Sequence, residues 1–163
     1  MAQVSYRFAT EADVGIILNF IRGLAVYEKM EADVVATEAL LHHWLFEKQT
    51  AQVLFAVEDG QEVGFALYFH NFSTFLGRAG IYLEDLYVLP EYRGKGYGKG
   101  LLRKLAKTAV AQGCGRLEWC CLDWNQPSIA FYRSVGAVSM DEWTTFRLTG
   151  SALEDFAKEE TEW

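Results

Sequence analysis

The chain has 163 residues, 51% of them hydrophobic and 15% aromatic, with only two prolines, which excludes disordered and low-complexity classes and fits one globular domain. Its 22 acidic against 15 basic residues leave a net charge of −7, which argues against nucleic acid or an anionic membrane as the partner. No stretch approaches the roughly 20 apolar residues of a membrane span, and the first residues do not read as a leader, so a cytoplasmic location is expected. Cys114, Cys120 and Cys121 fit neither a disulfide framework nor a metal knuckle, and His42, His43 and His70 form no ligand pattern. No metal is expected.

A short strand, Val4 to Phe8, leads into Thr10-Glu11-Ala12-Asp13, the Thr-x-x-acid signal of a helix start. Val14, Ile17, Leu18, Ile21 and Leu24 follow at helical spacing, which predicts a helix to about Tyr27. Thr37 and the run Ala39 to Glu47 signal a second helix. The period then changes: Gln52 to Glu58 reads as a strand, Asp59-Gly60 as a tight turn and Glu62 to Phe72 as the antiparallel partner. A loop holding Ser73, Thr74 and Gly77 precedes Gly80 to Val88, rich in Ile, Tyr, Leu and Val, which reads as a buried central strand. Gly94, Gly96, Gly98 and Gly100 then fall within seven residues, followed at once by a helical pattern from Leu101 to Gln112. Arg116 to Leu122 is a further strand, Pro127 opens a short helix ended by Gly136, and Trp143 to Leu148 reads as the last strand. No repeat or linker divides residues 1–163, which read as one domain with an acidic tail from about Glu154. That tail carries five acids and one lysine, a net of −4, and is expected to be solvated or partly helical.

A strand, a glycine-rich turn and a helix in that order make a phosphate-binding arrangement. The helix N-terminus offers unpaired N–H groups and the positive end of its dipole, and glycines let the backbone approach phosphate oxygens with no Cβ in the way. Arg93, Lys95, Lys99, Arg103, Lys104 and Lys107 lie within fifteen positions that hold no Asp or Glu. Lys99, Arg103, Lys104 and Lys107 share one side of the helix and read in part as a solvated face, whereas Arg93 and Lys95 sit in the turn itself. The turn is not a Walker loop, because Gly98-Lys99 is followed by Gly100 in place of a magnesium-binding hydroxyl. Nor is it a dinucleotide fingerprint, since Gly94, Gly96 and Gly98 are evenly spaced and no acidic ribose partner follows about 20 residues on.

Arg93-Gly94-Lys95-Gly96-Tyr97-Gly98 fits Arg/Gln-x-x-Gly-x-Gly/Ala, the acetyl-CoA motif of the GCN5-related N-acetyltransferase (GNAT) superfamily, at every defined position. Tyr82 to Leu86 before it, Asp123 to Ser128 with Phe131-Tyr132 and Gly136-Ala137 after it, and Leu24 to Glu31 near the N-terminus resemble the diamine (spermidine/spermine) and thialysine acetyltransferase branch. The resemblance implies an α/β fold with a mixed, mostly antiparallel sheet of six or seven strands flanked by about four helices. It implies acetyl transfer from acetyl-CoA to a primary amine of a small cation, a diamine, polyamine or thialysine-like amino acid, by direct attack in a ternary complex. Leu86, Tyr87 and Val88 are then expected to bind the pantetheine region through main-chain groups, on a strand that splays from its parallel neighbour. Arg93, Gly94, Lys95, Gly96, Tyr97, Gly98 and Lys99 are expected to cradle the pyrophosphate, with Asn125 and Ser128 touching the cofactor from the other side. Asn125 also reads as a simple cap for the helix opened at Pro127.

A primary amine with a pKa of roughly 10.4 is almost wholly protonated at neutral pH, so something must take its proton. Glu84 sits mid-strand, and the resembling branch uses the carboxylate at this position as a base through water. Strand alternation places Asp85 on the opposite face, so that only one of the two serves a given site; a purely structural pairing is the alternative for both. By resemblance Tyr132 faces the departing thiol. A phenol of pKa about 10 is a weaker acid than a thiol of about 8.5, which suits a hydrogen-bond donor better than a full acid. Tyr27 and Glu28 match the branch at the end of the first helix and are expected to line the acceptor site, while Glu31 reads as solvated. Asp141-Glu142-Trp143 stands where the diamine enzymes carry a further acidic contact, with different spacing. No cysteine has an activating base, so a covalent acyl-enzyme is not expected. A homodimer is expected from the resemblance. Two rivals remain: the same fold acting on a protein or aminoglycoside amine, and a non-catalytic acetyl-CoA sensor.

Overall fold

The computed structural model describes residues 2–158. The chain divides into two compact units, residues 1–120 and 121–163. The first is built on a five-stranded sheet, β1 (Val4–Phe8), β2 (Gln52–Glu58), β3 (Gln61–Ser73), β4 (Arg78–Val88) and β5 (Leu117–Trp119), in that spatial order. The first four strands pair antiparallel and β5 joins β4 in parallel, so the mixed, mostly antiparallel sheet is present. The expected six or seven strands are not: among the described residues Trp143–Leu148 forms no ladder, and β5 stops at Trp119 short of Leu122. A strand exists through hydrogen bonds to a neighbour, and alternation cannot supply one; Trp143 and Phe146 stand 78% and 89% exposed.

Five α-helices are present among the described residues. In the first unit these are α1 (Val14–Glu28), α2 (Glu38–Leu41) and α3 (Tyr97–Ala111); in the second, α4 (Gln126–Ser134) and α5 (Gly150–Lys158). The expected helix to Glu47 is a single α turn that widens into a π-helix over His42–Glu47. Helix α5 takes in the start of the acidic tail, whose residues 159–163 lie outside the described ones.

Local chemistry explains the entry into α1 and the β2–β3 hairpin. The Thr10 N–H donates to Asp13 Oδ2 at 2.7 Å, and the Arg7 guanidinium donates to both Asp13 oxygens and to Glu62 at 2.6 Å, tying β1, the helix start and β3 together. This pairing with Arg7 holds the Asp13 carboxyl down at about 2. Asp59 and Gly60 both have positive φ, 50° and 84°, as a two-residue hairpin turn requires.

The sheet is covered on both faces. Ile17 and Phe20 of α1 pack with Val53, Phe55, Val57, Phe65 and Tyr87, and the Phe20 ring stacks on Phe65 at 5.2 Å. Leu101, Leu102 and Leu105 of α3 are buried on the other face: a Cβ on Gly64, which alternates with Phe65, would stand 3.5 Å from Leu101 Cδ1. Among the described residues no helix is long and apolar enough to cross a membrane.

Candidate active site

Strand β5 pairs with β4 only over Ile81–Leu83. From Glu84 to Val88 that side of β4 has no strand paired with it among the described residues. The Leu89 N–H donates to Val63 O at 2.9 Å, which sets the phase of the β3–β4 ladder. Phe65 and Tyr87 then exchange hydrogen bonds, while Leu86 and Val88, opposite Ala66 and Gly64, turn their N–H and C=O away from β3. Leu86 therefore offers its N–H and C=O to the open edge and Val88 its N–H, the Val88 carbonyl being taken by Arg93 Nε at 3.0 Å. Tyr87 does not: its backbone serves β3, and its side chain is 7% exposed, edge-on to Phe20. A Cβ on Gly23 would fall 2.9 Å from the Tyr87 hydroxyl oxygen, so glycine there lets α1 lie this close to β4.

The turn that follows is shaped by Gly94 and Gly96, with φ of 78° and 90°, which favour glycine. A Cβ added at either would meet nothing within 4 Å, so the space beside the turn is open. Helix α3 begins at Tyr97, and the N–H groups of its first turn have no intrahelical acceptor. The basic side chains of the turn are engaged elsewhere. Lys95 Nζ pairs with Glu58 at 3.1 Å and lies over the Tyr92 ring, and the Tyr97 hydroxyl donates to the same Glu58 at 2.7 Å. Those two donors, Tyr97 first, hold the Glu58 carboxyl below its ordinary range. Arg93 folds back to donate from Nε to Val88 O at 3.0 Å. Lys99 is exposed at the start of α3. The turn thus presents backbone and glycine space more than free cations, and both fit a pyrophosphate.

The two adjacent acids of β4 are placed by an irregularity. Leu83 lies opposite Tyr68 and Asp85 opposite Leu67, so Glu84 is an extra residue without a cross-strand partner, a β-bulge. Alternation restarts across it. Tyr82 faces Phe69, with ring centroids 5.2 Å apart, and Leu67 and Phe69 share the β3 face of Phe65, which packs against α1. Glu84, two residues after Tyr82, and Asp85, opposite Leu67, therefore both lie on the α1 side. This corrects the expectation that the two point to opposite faces: regular alternation fails where one strand carries an additional residue. The signal available in the sequence was a pair of adjacent acids inside an apolar strand.

Helix α1 ends beside them. Lys29 adopts a left-handed conformation, φ 60°, and returns its N–H to the last turn immediately after Tyr27 and Glu28. Glu28 is half-buried, and burial raises its carboxyl above the ordinary range. Asp85 is pushed up to about 7, by burial first and then by the negative charges of Glu84 and Glu28. Glu84 is exposed. Three carboxylates and Tyr27 thus gather where α1 ends against β4, next to the open edge.

In the second unit, Asn125 is buried and its Oδ1 accepts from the Ser128 N–H at 3.4 Å, with Pro127 in the first turn, so Asn125 does cap α4. Tyr132 lies further along that helix, its ring 5.3 Å from that of Phe131.

A family model described as acetyltransferase (GNAT) family matches residues 20–137, a span that includes the open-edged strand, the glycine turn and α4. The chain belongs to the GNAT acetyltransferase family. It is 39% identical over 169 aligned residues to the thialysine N-epsilon-acetyltransferase of Sus scrofa, covering 96% of this chain and 99% of that one. It is 33% identical to an L-ornithine N5-acetyltransferase of Arabidopsis thaliana, covering 93% and 87%. Among solved structures, an integron cassette protein from the mobile metagenome of V. cholerae superimposes with a TM-score of 0.80 at 30% identity, covering 96% and 98%. The α/β GNAT fold here is a five-stranded mixed sheet with five helices among the described residues, and the protein is an acetyltransferase.

Proposed function

We propose that this GNAT enzyme moves the acetyl group of acetyl-CoA onto the terminal primary amine of a small cation, a basic amino acid of lysine or ornithine length or a diamine, by direct attack in a ternary complex. What carries this reading is the bulge at Glu84, which sets two carboxylates on the face where Glu28 ends α1. An ammonium group is drawn to such a place and must lose a proton there before it can attack. Similarity to enzymes named for the terminal amines of thialysine and ornithine supports the same acceptor class.

Acetyl-CoA, when bound, supplies the thioester. The N–H groups of the Gly94–Lys99 turn would hold the pyrophosphate, the main-chain groups of Leu86 and Val88 the pantetheine arm, and Asn125 and Ser128 would touch the cofactor from α4. Tyr27, Glu28 and Asp85 would hold the ammonium, Glu84 would pass its proton to water, and the Tyr132 hydroxyl would donate to the departing sulfur. Residues 1–163 are read as a single acetyltransferase domain, as the span of the family model across residue 120 supports. A cytoplasmic homodimer completes the reading. The exposed Val138, Met140, Trp143, Phe146 and Leu148 support the dimer, because a second copy would cover them and give Trp143–Leu148 a ladder partner.

Coenzyme A release should be measured with ornithine, lysine, thialysine, putrescine and spermidine. Saturable turnover with one or more of them is expected; acetyl-CoA binding with no turnover on any would remove the small-amine reading and leave a protein or aminoglycoside acceptor, or the sensor. A second check is Gly96→Ala. Because the added methyl meets open space, it should cost only the backbone strain of a positive φ, about 1–2 kcal/mol, while weakening acetyl-CoA binding in calorimetry by about tenfold, near 1.4 kcal/mol.

A further inference from the structure

Arg93 occupies the first position of the glycine-rich motif, where a guanidinium would be read as a phosphate ligand. Its side chain is turned the other way. Nε donates to Val88 O at 3.0 Å, and the guanidinium carbon sits 5.0 Å from the centre of the Tyr27 ring and 5.3 Å from that of Tyr87. Tyr27 belongs to the last turn of α1 and Tyr87 to β4. One planar cation therefore joins the end of α1 to the end of β4 and holds a carbonyl on the open edge. Each contact uses a property of arginine: a fork with a fixed donor direction, and a flat, weakly hydrated cation that lies over aromatic faces.

We propose that Arg93 is a positioning residue for the acceptor side, acting through Tyr27, and that pyrophosphate binding is left to the backbone of the turn. This rests on the reading of the site as one for a small amine. Tyr27 adjoins Glu28, so the contact that fixes the Tyr27 ring also fixes the last turn of α1 that carries Glu28 toward Asp85. The other cation inside the turn, Lys95, is held by Glu58, consistent with a cradle that works through N–H groups.

The test uses Arg93→Gln, Arg93→Lys, Tyr27→Leu and the Arg93→Gln/Tyr27→Leu double variant. Arg93→Gln should raise the amine KM about tenfold while the acetyl-CoA Kd, measured by calorimetry without acceptor, stays within about twofold. Arg93→Lys keeps the charge but cannot lie across both rings while donating to Val88 O, so it should not restore the amine KM. Tyr27→Leu should raise the amine KM similarly, and the double variant should be no worse than either single one. A tenfold rise in acetyl-CoA Kd for Arg93→Gln, with Arg93→Lys restoring it, would overturn the proposal in favour of a phosphate ligand. Additive KM effects would also overturn it. Should the wild type acetylate no amine, the small-amine reading fails separately; the Arg93–Tyr27 coupling is then scored by melting temperature across the wild type, Arg93→Gln, Tyr27→Leu and the double variant, where additivity counts against the contact.

Discussion

Glu84→Gln should lower kcat for amine acetylation by about 10²-fold, the usual size of a lost proton acceptor, with acetyl-CoA affinity unchanged. Asp85→Asn should act differently although the two residues are adjacent. The bulge puts both on the α1 face, but Glu84 is exposed and can exchange a proton with water, whereas Asp85 is pushed up to about 7 by burial and by its acidic neighbours. Asp85 ionises fully only above that pH or when a cation arrives. Amine binding below about pH 7 should therefore expel a proton from Asp85, and the amine KM should fall as pH rises toward that value. In Asp85→Asn the KM should be raised about tenfold, by loss of one charged partner, and become nearly independent of pH in this range. The sign for stability is the reverse of a salt-bridged acid. A folded-state value above the unfolded one of about 3.9 means that Asp85 binds its proton more tightly in the fold, so its contribution is full below about pH 4 and declines as pH rises to about 7. Asp85→Asn should accordingly melt higher than wild type at pH 8. Pre-steady-state and steady-state rates across pH 5–9, with parallel melts, check all of this. An Asp85→Asn enzyme with wild-type KM at every pH would disprove the assigned role.

Tyr132→Phe should reduce kcat by about 10- to 100-fold, equivalent to the roughly 1.5–3 kcal/mol of a hydrogen bond to a charged group, and should leave both KM values nearly unchanged. The phenol is a weaker acid than the thiol it would face under the proposed mechanism, so its assigned part is to donate to a developing negative charge rather than to deliver the proton outright. The ring persists in the variant, and with it the contact with Phe131, so stability should hold. The donor idea makes one further demand. With a donor analogue whose leaving thiol is more acidic, the penalty for Tyr132→Phe should shrink; a penalty that stays constant would argue for a packing role.

What could be read in advance followed the range over which each cause acts. Thr10 and Asp13, the Asp59-Gly60 turn and Gly94 and Gly96 are local signals that appear where expected, whereas α3 starts at Tyr97, four residues before the expected Leu101, and takes in Gly98 and Gly100. The open edge at Leu86 and Val88 came from a resemblance, but its phase is set by a hydrogen bond from Leu89 to Val63, which no pattern within β4 contains. The bulge at Glu84 is likewise a property of the pairing between β3 and β4. The direction of Arg93 depends on Tyr27, far away in sequence and brought near only by the close approach that Gly23 permits. Trp143–Leu148 is rich in residues that favour strands, yet a strand is defined by its neighbour, and none lies beside it among the described residues.

Removing Glu84 altogether would bring Leu83 and Asp85 into direct succession, opposite Tyr68 and Leu67, and the β3–β4 ladder would then run without interruption. Every core side chain would keep its face and every downstream group its direction. By this count the sheet has no structural use for the residue; it is a surplus link in the chain, tolerated by the scaffold and available to the proposed chemistry. A family keeping this insertion while its surroundings drift would be keeping a reaction rather than a fold, and a chain that lost it would persist as a well-formed relative able to hold both substrates and join neither.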